Sequence, residues 1–321
     1  MLIMWIEDKF MDTASTTTLL KYAGDREVLV TTDLALIQKY AQDIDIVLGD
    51  FPKQYLSLLP NLVWFQQFGT GVEWLQEYPE LIDTDFTLTN CSDSHHDVVA
   101  DHALALILSV IRGIPTSVKN QQHKNWYTTS LTECDSLFQL RGKTVLVIGL
   151  GSVGLAIVQR LKAFGANIIG VRKNPSKTTE NVDIVYKLQD LPLAVAQANM
   201  VISTLPKTHE TNELFNIDIF NAMKKPSFFF NVGRGNAVNE HDLATALNQG
   251  ILKGAGIDVS KKEPLSQSSF LWSTKNLLIT PHSGGTYNDV IITWRDLALN
   301  NLVLFHQGAK LRNQVVKSHG Y

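Results

Sequence analysis

The sequence predicts an α/β protein built from two doubly wound parallel-sheet domains. Three observations predict it. The chain has 321 residues, room for two domains of roughly 100–200 residues each. Short β-rich runs alternate with helical stretches along most of its length, the pattern that lays helices on both faces of a parallel sheet. Many of those runs are apolar at consecutive positions, as a strand covered on both faces requires.

The elements follow in order. Residues 2–6, 27–30, 45–48, 62–65 and 86–89 are rich in β-branched or aromatic side chains and read as strands. Residues 16–22, 33–41, 53–58 and 72–78 lie between them and read as helices or helical turns. Residues 98–112, VVADHALALILSVIR, form one long helix, apolar on more than one face and therefore buried. A second alternation begins at Lys143. Residues 144–148 (TVLVI) are a strand, 155–164 a helix with Gly165 past its end, and 166–172 the next strand. Residues 182–186, 200–205, 227–232, 254–259 and 276–280 are further strands, and a last helix runs from about 289 to 305.

Composition excludes several classes. With 28 Lys and Arg against 31 Asp and Glu, the net charge of -3 argues against a nucleic-acid scaffold. Charged residues make up 18% and hydrophobic ones 45%, the reverse of a disordered chain. The two cysteines, Cys91 and Cys134, cannot build a disulfide framework and follow no metal-ligand spacing. His95 and His96 are adjacent but lack the spacing of a metal motif, so no metal is expected. The longest apolar run, 103–111, is far too short to span a bilayer. The N-terminus MLIMWIEDKF has no basic region before its apolar residues and does not read as a signal peptide. The expectation is a cytoplasmic protein with no nucleic-acid or membrane partner.

Gly149, Leu150, Gly151, Ser152, Val153 and Gly154 form GxGxxG directly after the strand 144–148 and open the following helix. A dinucleotide-binding Rossmann turn needs that context. The first glycine makes the tight turn, the second lets the backbone approach a pyrophosphate, and the third lets the helix pack on the strand. An ordinary glycine-rich βα turn is the competing reading. The next strand ends on Arg172 and Lys173. A carboxylate there would accept from a ribose 2′-hydroxyl, whereas a guanidinium binds a 2′-phosphate through paired charge-assisted hydrogen bonds. NADP(H) is therefore preferred, with NAD(H) as the alternative and a solvated basic loop as the competing reading.

Three later segments add specificity: Asn231-Val232-Gly233-Arg234-Gly235, then Gly256-Ile257-Asp258-Val259 through Glu263-Pro264, then Thr280-Pro281-His282-Ser283. In this order behind the fingerprint, the chain resembles the D-isomer-specific 2-hydroxyacid dehydrogenase family. Leu140-Arg141-Gly142-Lys143, Leu205-Pro206-Lys207-Thr208, Gly69-Thr70-Gly71-Val72 and Val99-Ala100-Asp101-His102 extend the resemblance over most of the chain. The first ninety residues match it only loosely outside 69–72.

The resemblance implies a catalytic trio. Arg234 holds the 2-oxo acid, His282 donates and accepts the proton, and Glu263 partners His282. These residue types suit hydride transfer to C2, which leaves alkoxide charge on the oxygen. An imidazolium delivers a proton as that charge develops, a carboxylate orients the ring, and a guanidinium fixes the carboxylate and carbonyl. The resemblance also assigns Asp258 to the nicotinamide carboxamide, Leu205 and Pro206 to the adenosine side, and Thr211 to the phosphates. Val232, Gly233 and Gly284 join the cofactor set. Gly69, Thr70 and Gly71 are to receive the substrate carboxylate on backbone N–H groups, beside Arg234 and His282.

It further implies a flavodoxin-like substrate-binding domain made of 1–97 and 290–321, with the Rossmann domain, 98–289, inserted in it. The partners implied are a 2-oxo acid or D-2-hydroxy acid and a second copy of the chain, paired near the helix 98–112. The expected activity is an NADP(H)-dependent 2-oxo acid reductase. Phe68, Trp74, Trp272, Tyr287 and Trp294 lean the expectation towards bulkier apolar 2-oxo acids. C-terminal binding proteins resemble the same family, so a nucleotide-sensing binding protein is the rival reading.

Overall fold

A computed structural model describes residues 1–5, 11–126, 137–174 and 180–319. Cys134, the last residue of the first strand candidate and part of the loop after Lys173 lie outside the described residues. The chain divides into two compact units, Met1–His95 with Tyr287–Tyr321, and His96–Thr286. The first boundary falls two residues before the expected 97/98, where the long helix already begins at His96, and the second falls three residues before the expected 289/290. Both units are parallel-sheet α/β structures, as the sequence predicts.

The first unit holds β1 (Leu2–Trp5), β2 (Glu27–Val30), β3 (Ile44–Gly49), β4 (Trp64–Gln67) and β5 (Thr87–Thr89). All pair in parallel in the order β2-β1-β3-β4-β5, the flavodoxin-like order. Alternate side chains divide between two cores, as the period of a strand dictates. Leu2, Met4, Val47 and Phe65 face one core, with Ile37 of α2 (Leu34–Lys39). Ile3, Trp5, Ile46, Leu48 and Trp64 face the other, with Leu19 of α1 (Thr13–Tyr22). The C-terminal helix, Val290–His306, returns to this second core with Leu297, Ala298 and Leu302. Its Arg295 reaches Asp12, the cap of α1, at 2.9 Å. The stretches expected as helical turns at 53–58 and 72–78 are short 3-10 turns, Lys53–Leu58 and Glu73–Gln76. A segment of one or two turns gains little from the wider α-helical bond pattern.

The second unit opens with α3 (His96–Ile111) and α4 (Ile114–Gln122). Its strands are β6 (Thr144–Ile148), β7 (Asn167–Val171), β8 (Ile184–Tyr186), β9 (Met200–Ser203), β10 (Phe228–Asn231), β11 (Gly254–Ile257) and β12 (Leu277–Ile279). The parallel order β12-β11-β10-β9-β6-β7-β8 is a Rossmann sheet with an added seventh strand. Val145, Val147, Phe228 and Phe230 face the core under α3 and α5 (Ser152–Ala163). Leu146, Ile148 and Phe229 face the opposite core, under α6 (Leu191–Val195), α7 (Ile217–Ala222) and α8 (Glu240–Asn248). Ala100, Ala103, Leu106, Ile107 and Ile111 bury α3. Among the described residues, no single helix is long and apolar enough to cross a membrane; only the bent pair α3 and α4, at 67°, passes when taken together.

Because every strand of this sheet is parallel, their carboxyl ends lie along one edge. The order reverses between β6 and β9, the position where such sheets take their ligands.

Candidate active site

The fingerprint turn leaves β6 at this reversal. Gly149 has φ +98°, and a Cβ there would lie 2.7 Å from Thr204 Oγ1. Thr204, just past β9, donates its hydroxyl to Gly149 O at 2.7 Å and so ties the two central strand ends together. A Cβ on Gly154 would lie 2.0 Å from Gly149 O, so the first turn of α5 packs directly on the glycine turn. The helix starts at Ser152 with Gly151 as its N-cap, three residues earlier than expected, because the second half of the fingerprint is its first turn. Gly151 and Ser152 are exposed, and no atom lies within 4 Å of the Gly151 Cβ position. The first N–H groups of a helix lack intrahelical partners and favour anions. An open, side-chain-free helix start at the switch point fits a dinucleotide pyrophosphate. Leu150 is 4% exposed and a Cβ on Gly170 would meet it at 2.5 Å, while Val153 packs against the same core. Leu150 is withdrawn into the core, whereas Val153 stays half-buried.

Arg172 follows β7, half-buried, with its N–H on Tyr186 O at 3.2 Å. Lys173 is exposed, 3.7 Å from Glu210. Beyond β9, Leu205 is buried and Pro206 half-buried. Thr211 is buried, and its hydroxyl donates to Pro206 O at 2.8 Å and accepts from Thr208 N at 3.0 Å. This hydroxyl is engaged inside its own loop, which it helps to shape.

The loop after β10 is shaped by Asn231. Its fully buried amide accepts from Gly233 N at 3.1 Å and donates to Arg234 O at 3.0 Å. Val232 N pairs with Ser203 O. A Cβ on Gly233 would lie 2.6 Å from the Leu205 backbone, so no other residue fits there. Arg234, half-buried, stands at the end of this loop, its Nη1 on Gly233 O at 2.9 Å.

His282 and Glu263 meet. His282 Nδ1 lies 2.6 Å from Glu263 Oε2, and Glu263 Oε1 accepts from Ser260 N at 2.9 Å. The carboxylate thus holds the proton on Nδ1 and fixes the orientation of the ring. His282 has φ +52°, and its N–H donates to Asp258 O at 2.7 Å.

Asp258, 3% exposed, organises this corner. Its Oδ1 accepts from Thr280 Oγ1 at 2.6 Å and Ser283 N at 3.0 Å, and its Oδ2 from Gly284 N at 2.9 Å. His102 Nε2 stands 3.2 Å from Oδ1. Burial pushes this carboxyl up, but donation from His102, Thr280, Gly284 and Ser283 overrides it and holds the group below the usual carboxylate range. Three of these donors meet Oδ1, and Gly284 N alone meets Oδ2. Asp258 and Gly284, both expected at the cofactor, are joined to each other in bracing the His282 loop.

In the first unit, Gly69 (φ +83°), Thr70 and Gly71 form a half-buried loop after β4. Phe68, Trp294 and His95 pack beside it, with ring centroids 5.8 Å apart for the first pair and 5.2 Å for His95 and Trp294. Tyr287 donates to Thr293 Oγ1 at 2.8 Å. Trp272, in the second unit, is exposed and donates to Ser266 O at 2.9 Å, so it is a surface residue of its own turn. Burial pushes the Cys91 thiol up to about 12. Among the described residues no group of His, Cys, Asp and Glu could hold a metal.

Sequence reasoning missed His102, Thr204, Asn231 and Thr280 as parts of the site. His102, Asn231 and Thr280 stood inside the quoted motifs without an assigned role; Thr204 gave only a polar residue at a strand end.

The comparisons with known proteins agree with one another. A model described as "D-isomer specific 2-hydroxyacid dehydrogenase, NAD binding domain" matches residues 104–284. The human glyoxylate reductase/hydroxypyruvate reductase is 31% identical over 220 residues, 68% of this chain and 66% of its own length. A D-isomer specific 2-hydroxyacid dehydrogenase family protein from Aeromonas salmonicida superposes with a TM-score of 0.80 at 30% identity, covering 98% of both chains. A D-isomer specific 2-hydroxyacid dehydrogenase from Xanthobacter autotrophicus, solved with NADPH and MES, gives a TM-score of 0.80 at 25% identity over 100% of this chain and 99% of its own.

Proposed function

Because the chain belongs to the D-isomer specific 2-hydroxyacid dehydrogenase family, we propose that it is an NADP(H)-dependent reductase of small 2-oxo acids, yielding the D-2-hydroxy acid. One observation carries the reading: His282 is paired to Glu263 at 2.6 Å, on the same sheet edge as the fingerprint turn.

When bound, the reduced nicotinamide supplies a hydride to C2 of the oxo acid. His282 gives its Nε2 proton to the oxygen as the carbonyl becomes an alcohol. Glu263, 2.6 Å from Nδ1, keeps the ring oriented for the transfer. Arg234 pairs with the substrate carboxylate and carbonyl oxygen, fixing C2 and stabilising the growing charge. Gly69, Thr70 and Gly71 contribute backbone donors for the carboxylate. In the oxidative direction neutral His282 takes the hydroxyl proton.

For the cofactor, the backbone of 149–154 and the start of α5 receive the pyrophosphate, with Leu205, Pro206, Val232 and Gly233 shaping the side next to it. Arg172, with Lys173, receives the 2′-phosphate. The Xanthobacter relative, solved with NADPH, supports NADP(H) over NAD(H). The human relative, named for glyoxylate and hydroxypyruvate, supports small substrates of that kind. We also propose a homodimer, since Ile114 and Val118 on α4, and Trp126 beyond it, are apolar and exposed. A reducing, cytoplasmic setting suits the buried thiol of Cys91.

The test is loss of NADPH absorbance on adding members of a 2-oxo acid panel, repeated with NADH. Turnover with NADPH preferred supports the reading. Nucleotide binding without turnover of any 2-oxo acid favours the rival, a nucleotide-sensing binding protein.

A further inference from the structure

The loop at 69–71 is held from one side only. Gly69 O accepts from Cys91 N at 2.9 Å, Thr70 O from Asn90 Nδ2 at 2.8 Å, and Gly71 O from Gln67 Nε2. Three successive carbonyls are thus drawn towards the buried side of the unit. In a planar trans peptide the C=O and the following N–H point in opposite directions. The N–H groups of Thr70, Gly71 and Val72 are therefore turned away from those donors. Among the described residues these three N–H groups make no hydrogen bond within the protein. Successive N–H groups presented in this way form an anion-receiving concavity.

The two side-chain amides are not free to flip. Trp74 Nε1, which can only donate, lies 2.6 Å from Gln67 Oε1. That fixes Nε2 on Gly71 O. Ser92 N donates to Asn90 Oδ1 at 3.1 Å, which fixes Nδ2 on Thr70 O in the same way. Gln67 and Asn90 are 4% and 6% exposed, so neither amide exchanges its partner for water at low cost.

We propose that Gln67 and Asn90 are positioning residues that preset the 69–71 loop as a carboxylate receptor, with Trp74 locking the amide of Gln67. This rests on the reading of that loop as the receiver of the substrate carboxylate. Three ties, each oriented by a further donor or by the backbone, set the direction of three N–H groups at once.

The experiment compares the full-length protein with Asn90→Ala and Trp74→Phe. Trp74 is half-buried, and phenylalanine keeps its packing while removing the donor. Steady-state kinetics with glyoxylate and with its amide, glyoxylamide, are run beside NADPH binding and thermal unfolding. In each variant the KM for glyoxylate is expected to rise roughly tenfold, the cost of one misdirected hydrogen bond to a charged group. The preference for acid over amide falls by a similar factor. NADPH affinity stays close to wild type, and the unfolding temperature falls slightly, as the loss of a buried hydrogen-bond partner requires. If wild type reduces glyoxylate while both variants keep its KM and its acid preference, the proposal is overturned and the reductase reading stands. A fall in kcat and unfolding temperature with the acid preference intact is a purely structural effect and also overturns it. If wild type does not reduce glyoxylate, oxamate titration in the presence of NADPH separates the two readings. Binding that weakens roughly tenfold in the variants keeps the loop assignment and removes the reductase reading, whereas no binding to wild type removes both.

Discussion

His102 on α3 places its Nε2 3.2 Å from Oδ1 of Asp258, at the end of β11. The helix that opens the second unit thereby braces the loop after its last strand. His282 needs such a brace. Its φ of +52° is uncommon for a residue with a side chain, and a backbone in that region persists only where neighbours fix it. Asp258 does so by receiving the N–H groups of Ser283 and Gly284 from the far side of His282.

Asp258→Asn keeps the shape and removes the charge. We expect turnover to fall on the order of 10²-fold, since a small displacement of a reacting group costs that much, with NADPH affinity nearly unchanged. The carboxyl is held below its usual range in the folded state. Its contribution to stability is therefore complete above about pH 4, where the unfolded group is already ionised, and is lost as pH falls through the lower folded value. Thermal unfolding against pH should show wild type losing stability more steeply than the variant below about pH 4. Parallel curves would remove Asp258 from this role.

Gly154→Ala and Gly151→Ala separate folding from binding. A methyl at 154 meets Gly149 O at 2.0 Å, whereas one at 151 meets nothing within 4 Å. The first change should destabilise the second unit by about 1–3 kcal/mol or more, as overpacking does. The second should leave the unfolding temperature near wild type and weaken NADPH binding. Equal unfolding temperatures for the two variants would contradict the packing account.

Arg172→Asp exchanges a cation for a carboxylate at the end of β7. NADPH affinity should fall and NADH become relatively favoured, read as the ratio of kcat/KM for the two cofactors. An unchanged ratio would sink the 2′-phosphate assignment.

Glu263→Gln removes the carboxylate 2.6 Å from His282 Nδ1. Turnover should fall roughly 10²–10³-fold, the scale of losing an oriented proton donor, with little change in NADPH binding. A fall in NADPH affinity without loss of turnover would place Glu263 elsewhere in the mechanism.

Much of this was legible in the sequence because the signals are local. Strands such as 144–148 and 228–231 are apolar at consecutive positions, and the glycines of 149–154 follow one of them directly. The trio stood in compact motifs. What was not legible depends on contacts between distant segments. His102 lies on an apolar helix and finds Thr280 and Asp258 only when β11 and β12 are laid beside it. Asp258, Thr211 and Gly284 are expected from the sequence at the cofactor, and only the fold shows the partners that each also has inside the protein. Strand β4 runs two residues later than expected, because Leu62 and Val63 are apolar but precede the pairing with β3 that begins at Trp64.

His282 is proposed as the acid–base group of a 2-oxo acid reductase. Single-turnover reduction of glyoxylate, followed by NADPH absorbance, tests it in His282→Asn beside a cofactor titration. NADPH should bind with near wild-type affinity while the absorbance does not fall at a measurable rate. Near-normal oxidation of the bound NADPH by that variant would contradict this role.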